Sequence, residues 1–320
     1  MVGRMGTLSP TVHHLSPRST NPAVGVIDPH RPAQLAVNSG DEIVLSTLGN
    51  WGGEVTPDVG IEQFSRVKDQ FPDALGPHTL TGPIHVDGAE PGDSLRVEFL
   101  EIVPEEHGYN MVVPSPRGRG VLRDRFPEAR MTHFTLDRQS MTTTLNDRIV
   151  IPLQPFLGVV GVAPPGDEKR STVEPGCFGG NIDLSELTEG TQIVLPVFHS
   201  GAGFYCGDGH AAQGDGEINQ MAIEAGMERV RIRLTLEKQT QLTGPRVETA
   251  SDWITLGFGS SLEEAAAQAV DSMVDFLADV YDLSPEDSYT LCSVAANLRV
   301  TQMVNGTVGM HLQMPKLATV

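Results

Sequence analysis

The chain is 320 residues long and carries a net charge of −19, from 41 acidic and 22 basic side chains. A surface this acidic repels phosphate backbones and excludes nucleic acid as a partner, its plain reading being solubility. With 39% hydrophobic and 20% charged residues the composition is that of an ordinary globular protein, long enough to bury about 75% of its unfolded surface.

The 34 glycines, 23 prolines and only 5% aromatic residues point to many turns joining short elements rather than to a helical bundle. The chain does not open on a charged region followed by an apolar one, and no apolar run approaches the ~18 residues of a membrane span. The sequence therefore predicts a cytoplasmic protein without a membrane partner. Its three cysteines, Cys177, Cys206 and Cys292, lack regular spacing and are expected to be reduced.

Residues 1–32, rich in Pro, Ser, His and Asn without a sustained period, are expected to form an irregular N-terminal segment ahead of one β-rich domain over residues 33–320. Gln34–Val37 leads through Asn38-Ser39-Gly40-Asp41 to a second strand, Glu42–Thr47. Pro83–Val86 leads through Glu90-Pro91-Gly92-Asp93 to Leu95–Val103, where Leu95, Val97 and Phe99 alternate with Arg96, Glu98 and Leu100, the period of a half-buried strand. In that turn proline fixes one φ and glycine takes a positive one. The turn-then-strand phrase returns at Leu187–Phe198, and Val230–Leu236 alternates again. Irregular intervals exclude a solenoid and favour an antiparallel sandwich or barrel-like framework.

The character then changes. Ser260 or Ser261 is placed to cap a helix from Leu262 to about Tyr281, with Glu263 and Glu264 at its positive end. Leu262, Ala266, Ala269, Met273, Leu277 and Val280 share one face of it. Ser284-Pro285-Glu286-Asp287 starts a second helix, running to roughly Ala296. Leu298–Val304 reads as a returning strand. The fold class is α+β, dominated by strands, with the helical part 260–297 packed on the β domain.

Chemistry concentrates in Gly203–Glu217, which gathers Asp208, His210, Asp215 and Glu217 among five glycines. Carboxylates and imidazole are ligands for Zn²⁺ and other divalent ions. In an extended stretch residues i and i+2 face one side, so Asp208 and His210 can share an ion, with Asp215 and Glu217 facing it across a glycine turn. The plain alternative is that Gly-Asp-Gly marks a structural turn. Nucleophile schemes fit less well. The four lysines, Lys68, Lys169, Lys238 and Lys316, sit in charged contexts, and carboxylates near Cys206 disfavour its thiolate. Gly259-Ser260-Ser261 is explained as a helix start, and Cys292 as core. His78 stands just before a strand. Arg117, Arg119, Arg123 and Arg125 form a basic run that reads as a solvated loop, with a lid over the active site as the alternative.

Four stretches resemble the acetamidase/formamidase family. They are His78-Thr-Leu-Thr-Gly-Pro running to Pro91-Gly92-Asp93, Gly179-Gly-Asn-Ile-Asp-Leu184, Phe204 to Glu217, and Leu291-Cys-Ser-Val-Ala-Ala-Asn-Leu-Arg running to Asn305. They fall in order over nearly the whole chain, and the eleven residues Gly207–Glu217 are the specific ones. The resemblance implies hydrolysis of a small amide such as formamide or acetamide to carboxylate and ammonia. It also implies a β-rich homo-oligomer and, in some members, a zinc or calcium ion. Cyclic amides, including γ-lactams, are an alternative substrate class.

Within that frame the residue types suggest roles. His210 and Asp208 are the expected metal ligands, joined by Asp183 and His78. Glu217 is the expected general base and acid, with Asp215 the next candidate. Asn181 and the backbone of Gly207 are placed to orient the amide or stabilise an oxyanion. The rival from another class is a non-catalytic β-rich binding module holding a structural Ca²⁺, which oxygen-only coordination would favour. The histidine favours zinc and the enzyme.

Overall fold

The computed structural model describes residues 10–17, 22–240 and 242–319. Two sheets face each other. The larger has nine strands in the order Val12–Leu15, Glu42–Thr47, Met227–Glu237, Ser94–Pro104, Gln192–Pro196, Arg246–Glu248, Asp252–Gly259, Val308–Pro315, Asn297–Gln302. The smaller has Phe204–His210 near its centre, flanked by Phe156–Gly161 and Thr79–Val86, with Gly179–Asn181, Ala23–Val24 and Leu35–Val37 completing it. Pairing is antiparallel except where Val12–Leu15 joins Glu42–Thr47 and Leu35–Val37 joins Thr79–Val86. The framework is the strand-dominated one expected from the turn-and-strand pattern.

The alternation explains how the sheets pack. Along the first half of Ser94–Pro104, Arg96 and Glu98 leave one face while Leu95, Val97 and Phe99 enter the core between the sheets, and past an irregularity in the pairing Ile102 enters it too. There they join Ile43, Leu45, Ile232 and Leu234 of the large sheet and Leu80, Ile84, Val159 and Phe204 of the small one. Burying apolar side chains of this size contributes roughly 1.5–3 kcal/mol each. The outer face of the large sheet is laced by cross-strand ion pairs. Arg96 meets Glu237 at 2.6 Å, Arg233 meets Glu98 at 3.2 Å, and Arg231 and Arg233 both reach Glu42.

The helices follow their caps. The Ser261 hydroxyl accepts from the Glu264 N–H at 3.2 Å and Asp282, at φ 53°, ends the helix Leu262–Tyr281 in the left-handed region. Its buried row is Ala265, Ala269, Met273 and Leu277, which packs on Leu312 and Met314. Ala265 thus takes the place expected of Ala266, and Val280 stays 42% exposed, because the sheet covers a narrower stripe than the apolar pattern offers. The second helix spans Pro285–Ala295, with Cys292 in the core as expected.

Two regions differ from expectation. The segment before residue 33, expected to be irregular, supplies Val12–Leu15, Ala23–Val24 and Val26–Ile27, each paired to the body. Runs of two to four residues are too short to show a period, so their pairing is decided by the strands they meet. Residues 1–9 and 18–21 of that segment lie outside the described residues. A further helix, Ile61–Lys68, stands over the cavity described below. No helix among the described residues is long and apolar enough to cross a membrane.

Candidate active site

The strand Phe204–His210 carries Asp208 and His210 to one end of the small sheet. The i, i+2 spacing places them together as expected, Asp208 Oδ2 lying 3.3 Å from His210 Nε2. Room for them comes from the neighbouring strand, where Gly158 has no side chain. A Cβ there would lie 2.5 Å from Asp183 Oδ1, 2.8 Å from Asp208 Oδ2 and 2.8 Å from His210 Cε1. The floor of the site is therefore a glycine, and any larger residue would fill it.

Asp183 enters from the turn after Gly179–Asn181. Its N–H donates to the Gly158 carbonyl at 3.1 Å, and its Oδ2 accepts from Asn305 Nδ2 at 2.5 Å. Glu224 approaches from the other side, 3.4 Å from His210 Nε2, its carboxylate accepting from Asn50 Nδ2 at 3.0 Å and the Ala222 N–H at 3.1 Å. Glu217 is buried within reach of the same imidazole, and its Oε2 has no partner. Asp183, Asp208 and Glu217 all adopt left-handed backbone, at φ 54°, 53° and 46°. For non-glycine residues this costs of order 1 kcal/mol or more each and persists only where the surroundings hold it.

Hydrogen bonds orient both imidazoles. Gln213 Nε2 donates to the Asp183 carbonyl at 2.9 Å, so its Oε1 faces His210 Nδ1, at 2.8 Å, and accepts the proton there. His78 Nδ1 faces the Thr172 carbonyl at 3.1 Å and the Thr172 hydroxyl at 3.0 Å. Both rings are thus anchored through Nδ1 and turn Nε2 toward the carboxylates, the orientation in which an imidazole can serve as a metal ligand. His210 Nε2 then points at Asp208 and Glu224, and His78 Nε2 lies 3.6 Å from Asp208 Oδ2. Carboxylate oxygens thus converge on the two imidazoles, a geometry that positive charge satisfies, as a proton on the ring or as a bound cation.

The electrostatics agree. For His210 burial favours the neutral ring, but the charges of Glu224 and Asp208 outweigh it and raise its pKa well above the ordinary value. Burial pushes Asp183 up to about 7, with the Asp208 charge adding to this and His210 opposing it. Burial, then the Asp183 charge, raises Glu217 well above the usual carboxylate range. Asp208 goes the other way, because His78 and His210 overcome its burial.

Two overlapping groups have the atoms to hold a metal ion: Asp183, Asp208 and His210, and His210, Glu217 and Glu224. Within each, the candidate ligand atoms lie within 4.8 Å of one another. Asp183 Oδ1, Asp208 Oδ1 and Glu217 Oε2 are buried without partners. Unsatisfied buried oxygens are costly, and a cation held by either group would offset part of that cost. The residues present fit a divalent ion.

The cluster ends a cavity of about 1110 Å³ lined by His78, Asn181, Asp208, Glu217, Glu224 and Asn305 at its polar end. Trp51, Phe64, Tyr109, Met111 and Met221 form its apolar wall. Asn181 donates from Nδ2 to the Val173 carbonyl at 3.2 Å and leaves Oδ1 unpartnered. Arg117 and Arg119 of the basic run line this cavity.

Other candidates lie elsewhere. Asp215 is turned away and gripped by Arg299 at 2.8 and 3.0 Å. Gly207 sits mid-strand, where a Cβ would come within 2.3 Å of the Thr79 carbonyl, so its want of a side chain serves strand packing. Cys206 is fully buried, and it is burial, not the carboxylates nearby in sequence, that pushes its thiol up to about 12.

Four contributors escaped the sequence reading. Glu224 had a usable signal, being the only charge between Ile218 and Met227 in an apolar stretch. Gly158 had a weaker one, a glycine inside an apolar strand, which marks close approach of another group. Gln213 and Asn305 are polar residues in loops, and nothing in their spacing distinguishes them.

Comparisons with known proteins identify the family. The family model described as Acetamidase/Formamidase family matches residues 26–168 and 166–316. An acetamidase of Mycolicibacterium smegmatis is 30% identical over 305 residues, covering 74% of each chain. A formamidase of Methylophilus methylotrophus is 29% identical over 240 residues, 59% of this chain and 58% of that one. The crystal structure of an acetamidase from Bacillus halodurans superposes with a TM-score of 0.84 at 30% identity, covering 94% of this chain and 97% of that one.

Proposed function

Because the chain belongs to the acetamidase/formamidase family and is an amidohydrolase acting on amide C–N bonds, we propose that the buried cluster around His210 is where it hydrolyses a small carboxylic amide, of the formamide or acetamide kind, to carboxylate and ammonia. One observation carries the assignment: Asp183, Asp208 and His210 crowd the space left by Gly158, with His78 Nε2 facing Asp208 and Glu224 facing His210 Nε2.

Asp183, Asp208 and His210 would hold a divalent ion, with His78 and Glu224 beside them. Mixed nitrogen and carboxylate donors suit Zn²⁺ better than Ca²⁺, which takes oxygen ligands. When bound, such an ion supplies polarisation of a carbonyl and acidification of water. The protein's own groups do the rest. The unpartnered Asn181 Oδ1 accepts an amide N–H and orients the substrate. Glu217 takes a proton from the attacking water as its oxygen bonds to the carbonyl carbon, then delivers it to nitrogen as the C–N bond breaks. Burial of Glu217 supports this role, since a carboxyl whose pKa is raised holds a proton more strongly than an ordinary carboxylate. Asp215, paired with Arg299, is left outside the proton path.

Assembly into a homo-oligomer is part of this reading, supported by Ile149 and Val150, 59% and 64% exposed on a surface hairpin. A cytoplasmic location is supported by the three unpaired thiols. The test is ammonia release from formamide, acetamide and a γ-lactam, before and after chelation. Release from the linear amides, abolished by chelator and restored by zinc, is expected. Activity indifferent to exhaustive chelation sinks the metal assignment, and preference for the lactam sinks the linear-amide one.

A further inference from the structure

Arg299 belongs to a conspicuous stretch of the C-terminal sequence, yet it touches neither the imidazoles nor the cavity. It stands on the strand Asn297–Gln302 at the edge of the large sheet. Its Nε and Nη2 grip Asp215 at 2.8 and 3.0 Å, and its Nη1 reaches Glu186 at 2.5 Å and Gln313 at 3.1 Å. Asp215 lies two residues before Glu217, and Glu186 three residues after Asp183. One guanidinium therefore ties together the two loops that carry the strained carboxylates.

The same strand fastens both loops again. The Gly216 N–H donates to the Thr301 carbonyl at 3.1 Å, and the Met303 N–H to the Gly216 carbonyl at 3.2 Å. The Gln302 Oε1 accepts the N–H groups of Val304 and Asn305 at 3.1 Å each, shaping the turn from which Asn305 reaches Asp183. A left-handed backbone at Asp183 and Glu217 persists only where the surroundings over-determine it. The planar, five-donor fork of arginine can hold two carboxylates at a fixed separation, whereas a lysine ammonium is a point charge on a flexible stem.

We propose that Arg299 is a positioning residue. By clamping Asp215 and Glu186 it fixes the distance between Glu217 and Asp183, and so the alignment of proton transfer with the site's ligands. The inference rests on the assignment of hydrolysis to the His210 cluster. It distinguishes Arg299 from a surface ion pair, which would contribute little.

The experiment compares Arg299→Gln, Arg299→Lys, Asp215→Asn and the double variant Arg299→Gln/Asp215→Asn in the full-length protein. Arg299→Gln should lower kcat by about 10–100-fold, in line with the effect of a small misplacement of reacting groups, while KM changes less than about 3-fold. Arg299→Lys should recover only part of the loss. Asp215→Asn, a half-exposed substitution with little risk to folding, should lower kcat in the same sense, and the double variant should be no worse than Arg299→Gln alone. Crystal structures of wild type and Arg299→Gln give a readout independent of activity, with φ of Glu217 or Asp183 expected to relax in the variant. A wild type inactive on every amide overturns the hydrolase site but leaves that structural comparison decisive. Unchanged kcat, full recovery by lysine, additive losses in the double variant, or unchanged backbone in the crystal would each overturn the positioning role.

Discussion

Gly158 shows how one missing Cβ organises the site. Three candidate ligand side chains occupy the space its side chain would need, the nearest atom at 2.5 Å. Gly158→Ala should therefore leave the sheet folded but push Asp183 and Asp208 apart. Zinc affinity should fall at least 10-fold and activity with it, as isothermal titration with zinc and an ammonia assay would show; normal zinc binding would mean that the void is incidental. Glu217 lends itself to a sharper substitution. Glu217→Gln keeps the shape but cannot accept a proton, so kcat should drop by ~10²–10⁴-fold while metal is retained through Asp183, Asp208 and His210. His210→Ala, by contrast, should lose metal and activity together. Near-normal turnover in Glu217→Gln, with metal content measured alongside, would remove Glu217 from proton transfer.

At the scale of elements, the strand Met227–Glu237 holds the large sheet together through alternation: Val230, Ile232 and Leu234 face the core, and Arg229, Arg231 and Arg233 face out. Glu42, on the neighbouring strand, accepts from both Arg231 and Arg233. Burial alone would raise its pKa, but the two guanidinium bonds outweigh this and hold the carboxyl below its ordinary value. A carboxyl lowered on folding contributes stability above its unfolded pKa of about 4.3 and loses it as pH falls through the lower folded value. Glu42→Gln should therefore reduce Tm at pH 7 by roughly 2–4 °C, the shift expected for about 1 kcal/mol in a long chain. It should also make Tm flatter with pH below about 4.3. Calorimetry at several pH values checks this, and a variant as acid-sensitive as wild type would contradict it. The helices teach a related lesson. Ser261, Ser284 and Pro285 announced both C-terminal helices, because caps act within one turn. Ile61–Lys68 starts at Gly60, which offers no capping side chain although Gln63 Oε1 accepts its N–H at 3.1 Å, and the helix sits against the cavity wall, so tertiary packing decides it.

At the scale of the molecule, the site joins parts far apart in the chain: Asn50, His78, Gly158, Asp183, the Asp208–Glu224 run and Asn305. An ion bound only in the folded state would stabilise that assembly, by about 2.7 kcal/mol at a concentration 100 times Kd. Removing metal should lower Tm by several degrees and zinc alone should restore it, with scanning calorimetry as the measurement; identical transitions with and without chelator would count against a folded-state metal site. By itself the sequence determined the strand-dominated class, the two capped helices, the Asp208–His210 pair and the family, because alternation, capping and a contiguous motif are local and survive in one dimension. Only the tertiary structure decided that Glu224 faces His210, that Asp215 turns outward to Arg299, and that Asp183 is held by Asn305 across 122 positions of chain. Those relations are set by which strands neighbour one another and by the empty space at Gly158, and neither is written in the spacing of any one segment.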